Sequence, residues 1–326
     1  MRVGLALAAF AGVALAVGVV CWFGFGQVLG ALERIGWGGF GLFVLYSLAC
    51  FSITGAAWWV LAPHEGPDRL AAFTFARILR EGASDILPLS ALGGVVIGAR
   101  GLVVRGVDAA VAYGSLALDL ITEIVAQIAF LGFGLALLSA RLSGGGEART
   151  FRLCFLAAIG LALVLILGLV TAQRRGFHLL DRLVARFAPA ASARVQGVQA
   201  VVADLYRRPG RMLAAVVLHF AGWIASSLGS WIALRLMGVA ISVPAVLAIE
   251  SLLSAVKSAA FAVPNAVGVQ EAAYAMLAQV FGLSGEMGVA LSLLKRAKDL
   301  VLGAPALALW QAMEGRRLAL RGRPAA

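Results

Sequence analysis

The sequence predicts an all-α polytopic membrane protein: about six transmembrane helices plus two re-entrant helical hairpins, arranged in two inverted repeats. Three observations carry this. Hydrophobic residues make up 62% of the 326 positions and charged residues 13%, more apolar surface than a water-soluble interior of that size can hide. Several apolar runs exceed the roughly 20 residues that cross a bilayer. Two further apolar regions, 69–105 and 243–282, are broken near their middles by "SDILPLSALGG" (84–94) and "AVPNAVG" (262–268).

In chain order, the first apolar run covers 3–25. A cleaved signal has a shorter apolar core, roughly 7–15 residues, so an uncleaved first helix is expected. Further spans follow at 37–61, 108–139, 151–172, 211–237 and 286–312. Each broken region is too interrupted for one helix but long enough for two half-helices that enter and leave on one side. Irregular backbone at that depth is tolerated only inside protein or beside a wet cavity. Segment 173–211 carries eight arginines and the tail 314–326 four more, whereas 238–248 and 282–286 carry no Lys or Arg. Positively charged loops stay inside, so both termini are expected in the cytoplasm. The 141–152 connection, with Arg141, Arg149 and Arg152, fits that topology least. Within the basic segment 173–210, Val195, Val198, Val202 and Leu205 recur at helical spacing. They predict an amphipathic helix on the membrane surface.

Pro88 and Pro264 lie 176 residues apart, and the same shift sets Gly106 on Gly282, Leu118 on Leu294 and Glu123 on Asp299. A single integral-membrane domain, 1–326, would then hold a first repeat at 37–140 and a second at 211–313. The span between them reverses the second. Inverted repeats with broken helices meeting near the midplane are a recurring transporter architecture.

Charges inside the apolar runs mark the candidate site, because each costs a few kcal/mol in hydrocarbon unless partnered. "LSLLKRAKDLVLG" (291–303) holds Lys295, Arg296, Lys298 and Asp299; the other candidates are Glu81, Asp119, Glu123, Lys257 and Glu271. The shift of 176 aligns Glu81 with Lys257 and Asp119 with Lys295, so those pairs are expected to meet across the axis relating the repeats. All three lysines lie between 257 and 298, against 24 arginines spread along the chain. Two readings stay open: a static clamp between the halves, or the lining of a polar cavity for a lipid headgroup. The hairpin breaks are Asp85, Pro88, Gly93 and Gly94 in one half and Pro264, Asn265 and Gly268 in the other. Proline suits the first turn of a returning half-helix, whose free N–H groups favour an anion. The glycines either admit a ligand or another backbone, or serve helix packing alone.

Several classes are disfavoured. The net charge of +11 comes from loops between apolar runs, and no basic soluble domain exists to hold nucleic acid. Cys21, Cys50 and Cys154 sit in apolar runs without a CxxC pair, and His64, His178 and His219 are scattered without an HExxH arrangement. Packing thiols and no metal site are expected. No lysine follows a glycine, so no phosphate-binding GxxxxGK[ST] loop exists. No nucleophile–base pair is readable either. The expectation is lipid movement without a cofactor or catalytic residue; a lipid-modifying enzyme, with Asp119 or Glu123 as general base, and a scaffold for lipid-synthesis enzymes are the alternatives.

The segments "REGASDILPLSALGG" (80–94), "LALDLITEIVAQ" (116–127), "VPNAVGVQEAAY" (263–274) and "LSLLKRAKDLVLG" resemble the flippase-like family, also called the lysylphosphatidylglycerol synthase transmembrane region. The resemblance is greatest to its hopanoid-biosynthesis-associated branch. It implies a multi-pass protein of the bacterial inner (cytoplasmic) membrane that handles polar-headed or hopanoid-related lipids. The partners it implies are a membrane lipid, lipid-biosynthesis enzymes and a second copy of the chain. In lysylphosphatidylglycerol synthases a soluble aminoacyl-transfer domain follows such a module; none is expected here.

Overall fold

Nine α-helices and one 3-10 turn make up the described part of the computed structural model, which covers residues 25–63, 65–86, 90–141, 168, 171, 189–260 and 266–321. In chain order they are α1 (Phe25–Val60), the turn Pro67–Arg69, α2 (Leu70–Ile86), α3 (Ser90–Val104), α4 (Ala109–Arg141), α5 (Pro189–Tyr206), α6 (Pro209–Leu236), α7 (Val243–Ala259), α8 (Val269–Val280) and α9 (Gly285–Arg321). No strand occurs among the described residues. The expected spans 3–25 and 151–172, the prolines Pro88 and Pro264, and Asn265 lie outside these residues, apart from helical Phe25, Gly168 and Thr171.

Helices α1, α4 and α6 contain stretches long and apolar enough to cross a membrane: Glu33–Val60, Ala109–Ser139 and Pro209–Leu236. Only 28% of each apolar window is buried against protein. The outward remainder, including Leu42, Leu45, Leu213 and Val217, is favourable when the surrounding solvent is lipid. The protein is therefore a helical membrane protein. Helix α1 begins earlier than the sequence suggested and turns at Gly36 (φ 73°, ψ 155°), a conformation open to glycine. Helix α9 runs past the expected end at 312 to Arg321 and spans ~55 Å at ~1.5 Å per residue.

By contrast, α2, α3, α7 and α8 have 17, 15, 17 and 12 residues. None reaches the ~30 Å of a hydrocarbon core by itself. In the first hairpin, Gly94, Gly98 and Gly101 of α3 face Arg80, Ser84, Ala76 and Leu79 of α2 so closely that a Cβ would collide. Gly94 thus serves helix packing, while Gly93 faces open space. Each hairpin ends in the same way. Gly106 and Gly282 adopt positive φ (89° and 80°), and the residues after them donate back five positions, Val107 to Leu102 and Leu283 to Ala278. That is the left-handed helix stop that glycine makes cheap.

Helix ends Val60, Val104 and Arg141 fall against Leu236, Val280 and Arg321, and the start of α4 at Ala109 falls on the start of α9 at Gly285 when moved by 176. For Arg141 the shift gives 317, four short of Arg321; for the other three it lands on the residue named. The packing follows the same exchange. Helix α2 packs on α9 as α7 packs on α4, α1 packs on α9 as α6 packs on α4, and α1 packs on α6. At the α2–α9 crossing Gly82 meets the backbone of Gly303. At the shifted crossing Gln127 Nε2 donates to Ser258 Oγ at 2.7 Å and to the Ser254 carbonyl at 3.2 Å.

Helix α5 departs from a free surface helix. Its apolar face, Val202 and Leu205, is buried against Leu118 and Ile121 of α4 and Ala215 of α6. Val202 and Leu205 of the periodic set therefore face protein, while Val195 and Val198 are half-buried.

Candidate functional site

Helix α2 carries its charges on one stripe, because Arg77, Glu81 and Asp85 are each four residues apart, with Arg80 beside them. Helix α4 presents Asp119 and Glu123 in the same way, and α6 adds His219 from within an apolar span. These side chains form a buried node. Asp119, 0% exposed, accepts from Arg80 Nη1 at 2.8 Å and lies 2.9 Å from His219 Nε2, with Arg77 Nη1 at 3.5 Å. Arg77 and Arg80 both also bind the Glu123 carboxylate, one Arg77 contact being 3.1 Å. Glu81 closes the node on Arg77 at 3.0 Å and Arg80 at 3.7 Å.

A second node stands in the other half. Glu250 of α7 accepts from Lys295 Nζ of α9 and from the Tyr274 hydroxyl of α8, both at 2.7 Å. Beside it Lys298 Nζ lies 2.5 Å from Asp299 and 5.7 Å from the Phe51 ring centre. Each node ties the first helix of a hairpin to the long helix that follows it. The signs are reversed: bases on α2 and acids on α4, an acid on α7 and a base on α9.

Between the nodes lies a cavity of about 210 Å³. Helices α1, α2, α4, α6, α7 and α9 all contribute to its wall, three from each side of the shift. Glu81, Asp85, Glu123, Lys257, Lys295, Lys298 and Asp299 line it, together with Arg77, His219, Tyr46, Cys50, Trp223 and the serines 47, 226 and 230. All three lysines of the chain therefore converge on this one space. Such a concentration of ionised groups between apolar helices needs mutual pairing or water, since hydrocarbon supplies neither.

Two expected pairs are corrected. Asp119 is bound by Arg80, Arg77 and His219 rather than Lys295, and Lys295 is bound by Glu250. Glu81 is bound by the two arginines rather than Lys257. In each case an opposite charge from the same half of the chain is the partner that the packing supplies. Glu271 and Arg296 sit off the cavity. Glu271 accepts from the Gly268 backbone N–H at 2.8 Å, capping α8, and from Ser292 Oγ at 3.0 Å and Arg296 Nε at 2.6 Å. This fastens α8 to α9, a bond that carries the helix start as well as an ion pair. Gly268, with φ 76°, supplies the turn into that cap.

The sequence pattern did not single out Arg77, Arg80, Glu250 or Tyr274. His219, alone in "VVLHFAGW", and Glu250, within "VPAVLAIESLLSAV", are missed groups that an apolar setting could have flagged. Among the described residues, no three His, Cys, Asp or Glu side chains converge as a metal set.

A helical membrane protein with a charged interior cavity is thus the class that fold and site define. The family model described as the lysylphosphatidylglycerol synthase TM region matches residues 9–306, and the chain belongs to that family. Membership places it among membrane proteins of lipid modification or transport. No curated protein matches the chain, and no solved structure does.

Proposed function

We propose that the protein moves a lipid between membrane leaflets, passing its polar headgroup through the cavity while the acyl chains stay in the bilayer. The single observation that carries this is the lining of the cavity: acids and lysines from four of its six helices meet at the junction of the two sets, in a family of lipid-handling proteins. Paired charges can exchange partners with a headgroup at little net electrostatic cost, which an apolar wall cannot offer.

The coincidence of helix bounds and packing under the 176-residue shift supports two repeats, 37–140 and 211–313. The arginine-rich loops support an inverted orientation with both termini in the cytoplasm. The short α2–α3 and α7–α8 pairs support re-entrant hairpins, since each helix is too short to span. The sequence motifs favour the bacterial inner membrane and a hopanoid-related or other polar-headed substrate. Lipid-biosynthesis enzymes and a second copy of the chain are the proposed partners.

Purified protein in liposomes, with tail-labelled fluorescent lipids and a membrane-impermeant reductant, tests this. Protein-free vesicles lose about half their fluorescence, because only the outer leaflet is reached. With the protein, bleaching of a transported lipid approaches completion. Half-bleaching with phosphate-bearing, sugar-bearing and hopanoid lipids alike would overturn transport. A mass change in one of those lipids would assign the site to lipid modification instead.

A further inference from the structure

The charges of the site do not balance. Counting groups that line the cavity or pair directly with one that does, the acids are Glu81, Asp85, Asp119, Glu123, Glu250 and Asp299. The bases are Arg77, Arg80, Lys257, Lys295 and Lys298. Among the described residues six acids meet five bases, so with every carboxylate ionised the network is one positive charge short in a low-dielectric setting where neutrality is strongly favoured.

His219 is the group placed to supply that charge. It is 1% exposed, lines the cavity, and touches Asp119, the one acid with no exposure at all. Histidine is the side chain whose ordinary protonation range covers pH 5 to 8. Asp119 as a carboxylate can only accept, so Nε2 carries its hydrogen toward Oδ1 and Nδ1 is the nitrogen left to take a proton.

Charges of both signs face the ring from the helices packed around it. Helix α4 contributes Asp119 and Glu123, and α2 contributes Glu81 and Asp85 against Arg77 and Arg80. Helix α7 contributes Glu250 and Lys257, and α9 contributes Asp299, Lys295 and Lys298. Helix α1 adds the uncharged Tyr46 and Cys50, while on α5 Asp204 is paired with Arg208. On its own helix, Arg211 donates to the Val60 and Ala62 carbonyls.

We propose that the Asp119–His219 pair is a proton-binding site and that its proton is the ion that drives lipid movement through the cavity. The second half rests on the transport reading above. Protonation completes the charge of the network and holds it closed on itself; release leaves a net negative cavity that draws the network apart.

Two measurements separate the parts. In protein labelled with ¹⁵N-histidine on a His64→Gln, His178→Gln background, one imidazole signal remains. It should show a hydrogen fixed on Nε2 and a proton gained at Nδ1 as the pH is lowered. An Nδ1–H neutral tautomer, or no titration between pH 4 and pH 9, overturns the site. In proteoliposomes, a difference of one pH unit should skew the final leaflet distribution of the transported lipid by up to ~10-fold if one proton moves per lipid. Reversing the gradient should reverse the skew, and a protonophore should abolish it. His219→Gln, whatever its rate, should settle at an even distribution. An even distribution in the wild type under the gradient overturns the coupling, as does a skew that survives in His219→Gln. A wild type that moves no lipid sinks the transport reading and the coupling together, while the ring signal still decides the proton site.

Discussion

Asp119→Ala destabilises the protein by about 3–5 kcal/mol, the cost of removing one partner from a buried ion pair. Three groups lose their acceptor at once: Arg80 at 2.8 Å, Arg77 at 3.5 Å and His219 at 2.9 Å. Two guanidinium groups are then left to share Glu123 and Glu81. Thermal unfolding in detergent, followed by circular dichroism, reads the loss. Arg80→Leu added to Asp119→Ala should recover part of it, because it removes the buried guanidinium that Asp119 held at 2.8 Å. A single variant within about 1 kcal/mol of wild type would mean that the node contributes nothing to the fold.

Lys295→Ala is the second large effect, again about 3–5 kcal/mol. Glu250 keeps the Tyr274 hydroxyl at 2.7 Å but loses the ammonium that offsets its charge. The informative partner is the double variant Lys295→Met with Glu250→Gln, which removes both charges and preserves side-chain length. Replacing a buried pair by uncharged groups is often neutral, so its stability should return to within about 1–2 kcal/mol of wild type. It should nevertheless fail to move lipid, because the cavity has lost one of its lysines. A stable double variant with undiminished lipid movement would make this pair a clamp.

Much of the helix plan was legible because apolar length and breaker residues are local signals. The spans expected at 108–139 and 211–237 lie at Ala109–Arg141 and Pro209–Leu236. The interruption in 69–105 falls between α2 at Ile86 and α3 at Ser90, and that in 243–282 between α7 at Ala259 and α8 at Val269. The site was half legible for a physical reason. Glu123, Lys295 and Asp299 stand out as charges within long apolar runs, whereas Arg77 and Arg80 sit in a mixed helix that reads like a solvated face. Their burial depends on α4 and α9, which are distant in sequence. Glu250 shares a helix with Lys257, but its partner Lys295 is 45 residues away. Equivalence under the 176-residue shift gave the correspondence of helices and could not give contact between side chains.

Lipid movement by Ser226→Trp tests the central claim most directly. Ser226 lines the cavity from α6 and takes part in none of the ion pairs of either node. An indole there fills much of the 210 Å³ while leaving the charged network intact. The cavity as headgroup path predicts a protein that unfolds at the wild-type temperature but bleaches labelled lipid only to the protein-free level of about half. A folded Ser226→Trp variant that moves lipid at the wild-type rate would contradict it.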